Sequence, residues 1–284
     1  MKLFADKLFY FFVYSNLFIA VCALLMVHQT YELLLHTNPD LNFLAFVFFA
    51  TICSYSFHWY LTPDLTLDSS RIKWLNKNRK VHILFFFIGF AGAAIFSFFI
   101  INHWPWLLIS AFITFLYSAP KIPHPWFRSL RKVAFGKTIF LAFVWMYITT
   151  VLPVQIEGHP WQADFLLFAA SRFLLIYAIC ILFDYRDKDY DKSIGIRSLI
   201  ILLNKKGITI LFAVTVVLFI ISTSLLLNYE YDYLIIVLLL IPGVIAALAY
   251  RYFTKNFSDI AYYFALDGLM ALSSLLTLLF FYLK

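Results

Sequence analysis

Apolar residues run along this chain in long blocks, with no alternation between polar and apolar positions. The blocks lie near 8–27, 41–61, 81–101, 104–120, 135–155, 165–183, 208–227, 233–250 and 260–283, separated by short charged, Pro- or Gly-containing stretches. Each approaches the roughly 17–25 residues that a helix needs to cross a bilayer. Open strands in lipid would leave backbone N–H and C=O groups unpaired, so blocks of this size read as helices. The pattern predicts an all-α polytopic membrane bundle of about nine transmembrane helices, forming a single domain over residues 1–284. Asn102 and His103 alone separate the third and fourth blocks, a tight hairpin. The first block follows Lys2 and Lys7 as a signal peptide would, but it is too long for an h-region and has no Ala-x-Ala site. It is expected to be an uncleaved first helix.

Composition narrows the picture in the same direction. The chain is 63% hydrophobic and 13% charged, against about 45–50% and about 25% in soluble proteins. All but two of its 22 Lys and Arg, Arg172 and Lys284, fall before the first block or at the ends joining blocks 2–3, 4–5, 6–7 and 8–9. The opposite joints carry Glu32, Asp40, Glu157, Asp164, Glu230 and Asp232. This asymmetry follows the positive-inside rule and predicts a cytoplasmic N-terminus with the C-terminus on the other side. It also explains the net charge of +7 without nucleic acid, which is set aside. Cys22, Cys53 and Cys180 each sit inside an apolar block and read as buried thiols. Trp104, Trp106 and Trp161 lie near block ends as interfacial anchors, and Asn16 is expected to hydrogen-bond between helices.

Chemistry concentrates in the basic segments. The sixth block runs into Asp184, Asp187 and Asp191, which share one face if the helix continues, since they stand at i, i+3 and i+7. Three carboxylates held together repel unless a cation lies between them. Mg2+ favours oxygen ligands and commonly joins one or two carboxylates to a substrate phosphate. A solvated helix end, with Arg186, Lys188 and Lys192 as surface partners, is the alternative. Asp64 and Asp68 form a second pair four residues apart, after Pro63; taken alone, they are better accounted for by capping and dipole chemistry in a first helical turn. Between blocks 4 and 5, Lys121, Arg128 and Arg131 could anchor to lipid headgroups or receive a diphosphate. Arg172 and Asp267 lie within blocks; for Arg172 a tie to carbonyl groups and a cavity role stand side by side.

This constellation resembles the UbiA-type superfamily of intramembrane prenyltransferases. Asp184, Asp187 and Asp191 followed by Gly195-Ile196-Arg197-Ser198 are similar to the family's second Asp-rich motif. Tyr117 and Lys121 reproduce its Tyr-x-x-x-Lys element, and Gly136 opens the fifth block as expected. The first Asp-rich motif departs from the pattern. Tyr60, Asp64 and Asp68 occupy its spacing, with Tyr60 where Asn is usual, and another register puts Ser56 and Tyr60 at the first two positions. Asn76-Lys77-Asn78-Arg79 then stands for a following Asn-x-Arg-like element.

The resemblance implies a UbiA-like bundle in the bacterial cytoplasmic membrane. It also implies Mg2+-dependent transfer from a prenyl diphosphate to an aromatic or other lipophilic acceptor, at the cytoplasmic face. In that reading Asp64, Asp68, Asp184, Asp187 and Asp191 hold metal, while Asp187, Asp191, Lys121 and Tyr117 serve catalysis. Tyr60, Arg79, Arg128, Arg131, Arg197 and Arg172 contact substrate, and membrane lipids surround the bundle. An inactive lipid-binding relative is the alternative, suggested by the altered first motif. A transporter is the rival from another class, but it would need interrupted helices in two related halves. Pro242-Gly243 is one interruption without a counterpart, and Asp267-Gly268 matches only the first residues of a CDP-alcohol phosphotransferase motif.

Overall fold

A computed structural model describes residues 2–62, 69–122, 124, 126–127, 136–193 and 198–283. Among them are helices and turns but no strand. The chain opens with α1 (Lys2–Tyr14), α2 (Leu17–Thr30), α3 (Leu41–Tyr60) and the short α4 (Ser70–Lys77). It continues through α5 (Arg79–Phe99), α6 (Trp104–Ser118), α7 (Lys137–Met146) and α8 (Ala163–Ser193). A single turn, α9 (Leu199–Leu202), precedes α10 (Lys205–Ser224), α11 (Tyr233–Phe253) and α12 (Asp267–Leu283). π-helical turns at Tyr31–Leu35 and Tyr147–Val151 prolong α2 and α7, and another at Ala261–Leu266 leads into α12.

Polar residues at the joints start these helices by accepting from otherwise orphaned backbone N–H groups. Asp40 accepts from Asn42 N at 2.9 Å, Asn204 from Gly207 N at 2.8 Å and Asp232 from Leu234 N at 2.9 Å. Pro242 does not interrupt α11, which runs unbroken from Tyr233 to Phe253. The interruption expected there is absent.

Among the described residues, eight helical segments are long and apolar enough to cross a membrane: Leu17–Leu35, Leu41–Tyr60, Arg79–Phe99, Lys137–Ile156, Ala163–Ser193, Lys205–Tyr229, Tyr233–Phe253 and Ala261–Leu283. The protein is an all-α membrane bundle. The remaining expected span, near 104–120, is the 15-residue helix α6 with a single 3-10 turn after it. Fifteen residues rise only about 22 Å, short of a hydrocarbon core of about 30 Å. However, 3-10 turns at Ile101–His103 and Ala119–Lys121 lengthen the helical path at both ends. α6 also returns the chain to the end where α3 finishes, with Ser118 Oγ 3.3 Å from His58 Nδ1.

The first span also differs from expectation. The block at 8–27 is two helices, broken at Asn16, whose φ is 74°. Asn enters this left-handed conformation more readily than most residues, and here its side chain is held by Ser56, His82 and Arg71 from α3, α5 and α4. The span proper starts at Leu17, while α1 packs onto α4 and the π turn at Ala261–Leu266. There the Tyr14 and Ser70 hydroxyls lie 3.1 Å apart and the Phe9 and Phe264 rings meet at 4.9 Å.

α8 is the most enclosed span, with Ile176, Ile179, Ile181 and Leu182 fully buried between α7 and α10. α3 and α5 pack closely because Gly89 brings two backbones together: a Cβ there would lie 2.6 Å from Cys53 N. Phe87, Phe90 and Phe98 of α5 and Leu248 of α11 are exposed and apolar, as a lipid-facing surface requires. Cys22 and Cys180 are buried and Cys53 half-buried, all free thiols.

Candidate diphosphate site

A cavity of about 1040 Å³ opens at the end of the bundle where α3, α6 and α8 finish and α7 begins. Its lining combines two chemistries. Val13, Ile19, Phe140, Ile179 and Met270 contribute apolar wall, while Lys and Arg side chains face Asp side chains across the rest.

The carboxylates come from α8, which continues as helix to Ser193 and so puts Asp184, Asp187 and Asp191 on the cavity. Each has a cationic partner nearby. Lys137, the first residue of α7, places Nζ 3.2 Å from Asp191 Oδ2 and 3.9 Å from Asp184 Oδ1. The Thr138 hydroxyl donates to the other Asp184 oxygen. Arg186 forks Asp187, with Nε 2.8 Å from Oδ1 and Nη2 3.4 Å from Oδ2, and donates to the Tyr263 hydroxyl at 2.8 Å. Its Nη1 is buried and has no hydrogen-bond partner among the described residues.

Tyr117 and Lys121 close the side opposite, at the end of α6 and the turn after it. The Tyr117 ring stacks on His58 at 5.0 Å, and His58 Nδ1 lies 3.3 Å from the Ser118 hydroxyl. Lys121 Nζ donates to Thr62 Oγ1 at 2.6 Å. Burial, with Lys137 as the next contributor, pulls the Lys121 ammonium down to about 7; Asp191 and Asp187 oppose the change and Arg71 adds to it. This lysine is thus poised to change charge near neutral pH.

Sequence reasoning passed over Arg71, a cation held on several sides. Its guanidinium lies between the Trp59 and Tyr263 rings, 4.0 Å from each centroid, and Nη2 donates to Asn16 Oδ1 at 3.0 Å. Its backbone N–H donates to Asp259 Oδ2 at 2.9 Å, beside the Ser69 and Ser70 hydroxyls. Burial weakens the hold of Arg71 on its proton. Lys137, Asp259 and Tyr263 were likewise not singled out. All line the cavity, but they lie far apart in sequence and only folding assembles them.

Other expected residues stand elsewhere. Tyr60 and Arg79 pair with one another outside the lining, Arg79 lying 5.2 Å over the Tyr60 ring and donating to the Tyr60 carbonyl at 3.3 Å. Arg172 is buried in the interior and is also outside this lining. It donates to Thr149 O at 2.6 Å, Thr30 Oγ1 at 2.7 Å, Thr150 Oγ1 at 3.0 Å and Gln29 Oε1 at 2.7 Å. Asp267 does line the cavity. Asp64, Asp68, Arg128, Arg131 and Arg197 lie outside the described residues.

Among the described residues, no group of three or more His, Cys, Asp or Glu converges on one metal position. The donor chemistry nevertheless fits a hard divalent cation shared with a ligand. Asp184 and Asp191 already enclose a positive charge at the cavity wall, and Mg2+ typically takes one or two carboxylates and completes its shell with phosphate and water.

Comparison with known proteins gives one result. The sequence profile described as the UbiA prenyltransferase family matches residues 62–275. Neither the curated proteins nor the solved structures include a match.

Proposed function

The chain belongs to the UbiA prenyltransferase family, and on that premise we propose that it transfers a prenyl group from a prenyl diphosphate to an aromatic or other lipophilic acceptor. The observation that carries this reading is one cavity lined by both kinds of group, charged side chains suited to a diphosphate and apolar and aromatic side chains suited to an isoprenoid. We place the reaction at the cytoplasmic face of a bacterial membrane, with the N-terminus on that face and the C-terminus opposite, because the basic segments cluster there.

Lys121 and Arg71 are the cations that would take the diphosphate oxygens, while Arg186 holds Asp187 in place. Mg2+ held by Asp184, Asp187 and Asp191, with Asp64 and Asp68 from the other motif, would supply charge stabilisation for the leaving diphosphate. The C–O bond breaks with its electron pair going to the diphosphate, whose growing charge Lys121 stabilises as an ammonium. The allylic cation left behind is shielded by ring faces, for which Trp59, Tyr117 and Tyr263 are available. The acceptor attacks that carbon and gives up one proton, which the released diphosphate can take. Tyr117 orients the reacting end through its stack on His58. Arg128, Arg131 and Arg197 remain candidates for the same anion, and Tyr60 and Arg79 for its approach.

The test is transfer of radiolabel from geranyl and longer prenyl diphosphates into membrane-soluble product, using purified protein in lipid and a panel of aromatic acceptors. Label in product, with release of diphosphate, is the expected result. Diphosphate binding without transfer to any acceptor would favour the inactive lipid-binding relative.

A further inference from the structure

We infer that Lys137 acts as an internal counter-ion that competes with divalent metal for the Asp184–Asp191 pair, so that metal enters this site with diphosphate and not ahead of it. The inference rests on the diphosphate reading above and adds to it a residue and an order of binding.

Lys137 is poorly placed for its own helix. It is the first residue of α7, where the macrodipole disfavours a cation. Its reward is contact with the two carboxylates, whose side chains are only 8% and 6% exposed while that of Lys137 is 29% exposed. Enclosed carboxylates so close together need a cation between them. The Thr138 hydroxyl holds Asp184 from the other side, so that carboxylate keeps its place when the ammonium moves. A lysine suits a displaceable role: it is a point charge on a flexible four-carbon stem, whereas an arginine would fork and stay.

Charge around the cavity gives the coupling its sign. Among the described lining residues there are five Lys or Arg and five Asp. Metal added alone would leave an excess of positive charge beside Lys137, and diphosphate added alone an excess of negative charge. The two together nearly cancel, and the released Lys137 ammonium then faces an anion instead of a metal.

The experiment is a titration of purified protein in lipid nanodiscs with Mn2+, followed by electron paramagnetic resonance. It is run with and without a non-reactive farnesyl thiolodiphosphate, for wild type, Lys137→Met and Lys137→Arg. Wild type is expected to take Mn2+ at least tenfold more tightly with the analogue than without it. Lys137→Met is expected to take Mn2+ alone at least tenfold more tightly than wild type, and Lys137→Arg no more tightly. Should Lys137→Met prove too unstable to titrate, Lys137→Arg and the wild-type analogue arm still decide: an arginine variant that binds Mn2+ alone tightly overturns the inference. So does a wild type whose affinity for Mn2+ is the same with and without bound analogue, or a methionine variant no tighter than wild type. If the analogue binds to no variant under any metal condition while Lys137→Met still gains affinity for Mn2+, the diphosphate reading fails and the competition between Lys137 and metal stands.

Discussion

Asn16 accepts a hydrogen bond from Arg71 across 3.0 Å, so the residue that breaks the first apolar block also fixes a cation of the site. The same amide lies 3.4 Å from the Ser56 hydroxyl and 3.5 Å from His82 Nδ1, tying α3 and α5 to the break. Replacing Asn16 by Ala would leave the buried Arg71 without this acceptor and put a Cβ residue at φ 74° without a local polar partner. A loss of about 2–4 kcal/mol is expected from the unsatisfied buried donor and the left-handed backbone. Thermal unfolding in detergent would read it as a clear fall in midpoint; an unchanged midpoint would mean that the contact is idle.

Arg172 should behave as a stability residue. Arg172→Met removes the buried donor shared by Gln29, two threonine hydroxyls and the Thr149 carbonyl, leaving Gln29 Oε1 only Ser274 and Thr149 O only the Thr30 hydroxyl. Destabilisation of about 3 kcal/mol is expected, with diphosphate affinity of the folded fraction changed by less than about twofold. Weakened binding at unaltered stability would instead give Arg172 a part in the cavity.

Two glycines should separate cleanly. A side chain at Gly89 meets the α3 backbone at 2.6 Å, whereas a Cβ at Gly136 meets nothing within 4 Å. Gly89→Val forces α3 and α5 apart and is expected to cost about 1–3 kcal/mol or more. Gly136→Ala should stay within about 0.5 kcal/mol. Chemical denaturation of the two variants side by side is the check.

The low proton affinity of Lys121, about 7, sets a pH signature. Below that pH the ammonium is already present, and above it the site holds a neutral amine until an anion arrives. Lys137 and Arg71 push toward the neutral form and Asp191 and Asp187 toward the charged form. Diphosphate binding at pH 8 should therefore take up close to one proton at Lys121, falling toward none at pH 6. Calorimetry in two buffers of different ionisation enthalpy measures the uptake, and Lys121→Arg, which stays protonated, should abolish its Lys121 component. Equal uptake by wild type and Lys121→Arg would contradict this account.

Much of the fold was legible because the bilayer imposes a length. The run at 233–250 became Tyr233–Phe253, and the run at 81–101 became Arg79–Phe99, with ends shifted by a few residues. The first break was not legible, because Ser15 and Asn16 are two mildly polar residues inside an apolar block and only the tertiary partners of Asn16 make a left-handed turn favourable. At the site, Asp184, Asp187, Asp191, Tyr117 and Lys121 were found from spacing and motif, and all five line one cavity. Lys137 escaped notice because it opens an apolar run and was counted only as cytoplasmic charge. Arg71 escaped because its ring partners, Trp59 and Tyr263, stand 12 residues before it and almost 200 after it in the chain.

The central claim is that this cavity binds a prenyl diphosphate through the α8 carboxylates. The most direct measurement is equilibrium binding of radiolabelled geranyl and longer prenyl diphosphates to purified protein in Mg2+, beside Asp187→Ala and Asp191→Ala. Saturable binding that is lost in EDTA and reduced at least tenfold in both variants is the predicted result. Absence of binding with any divalent metal, or binding indifferent to both substitutions, would contradict it.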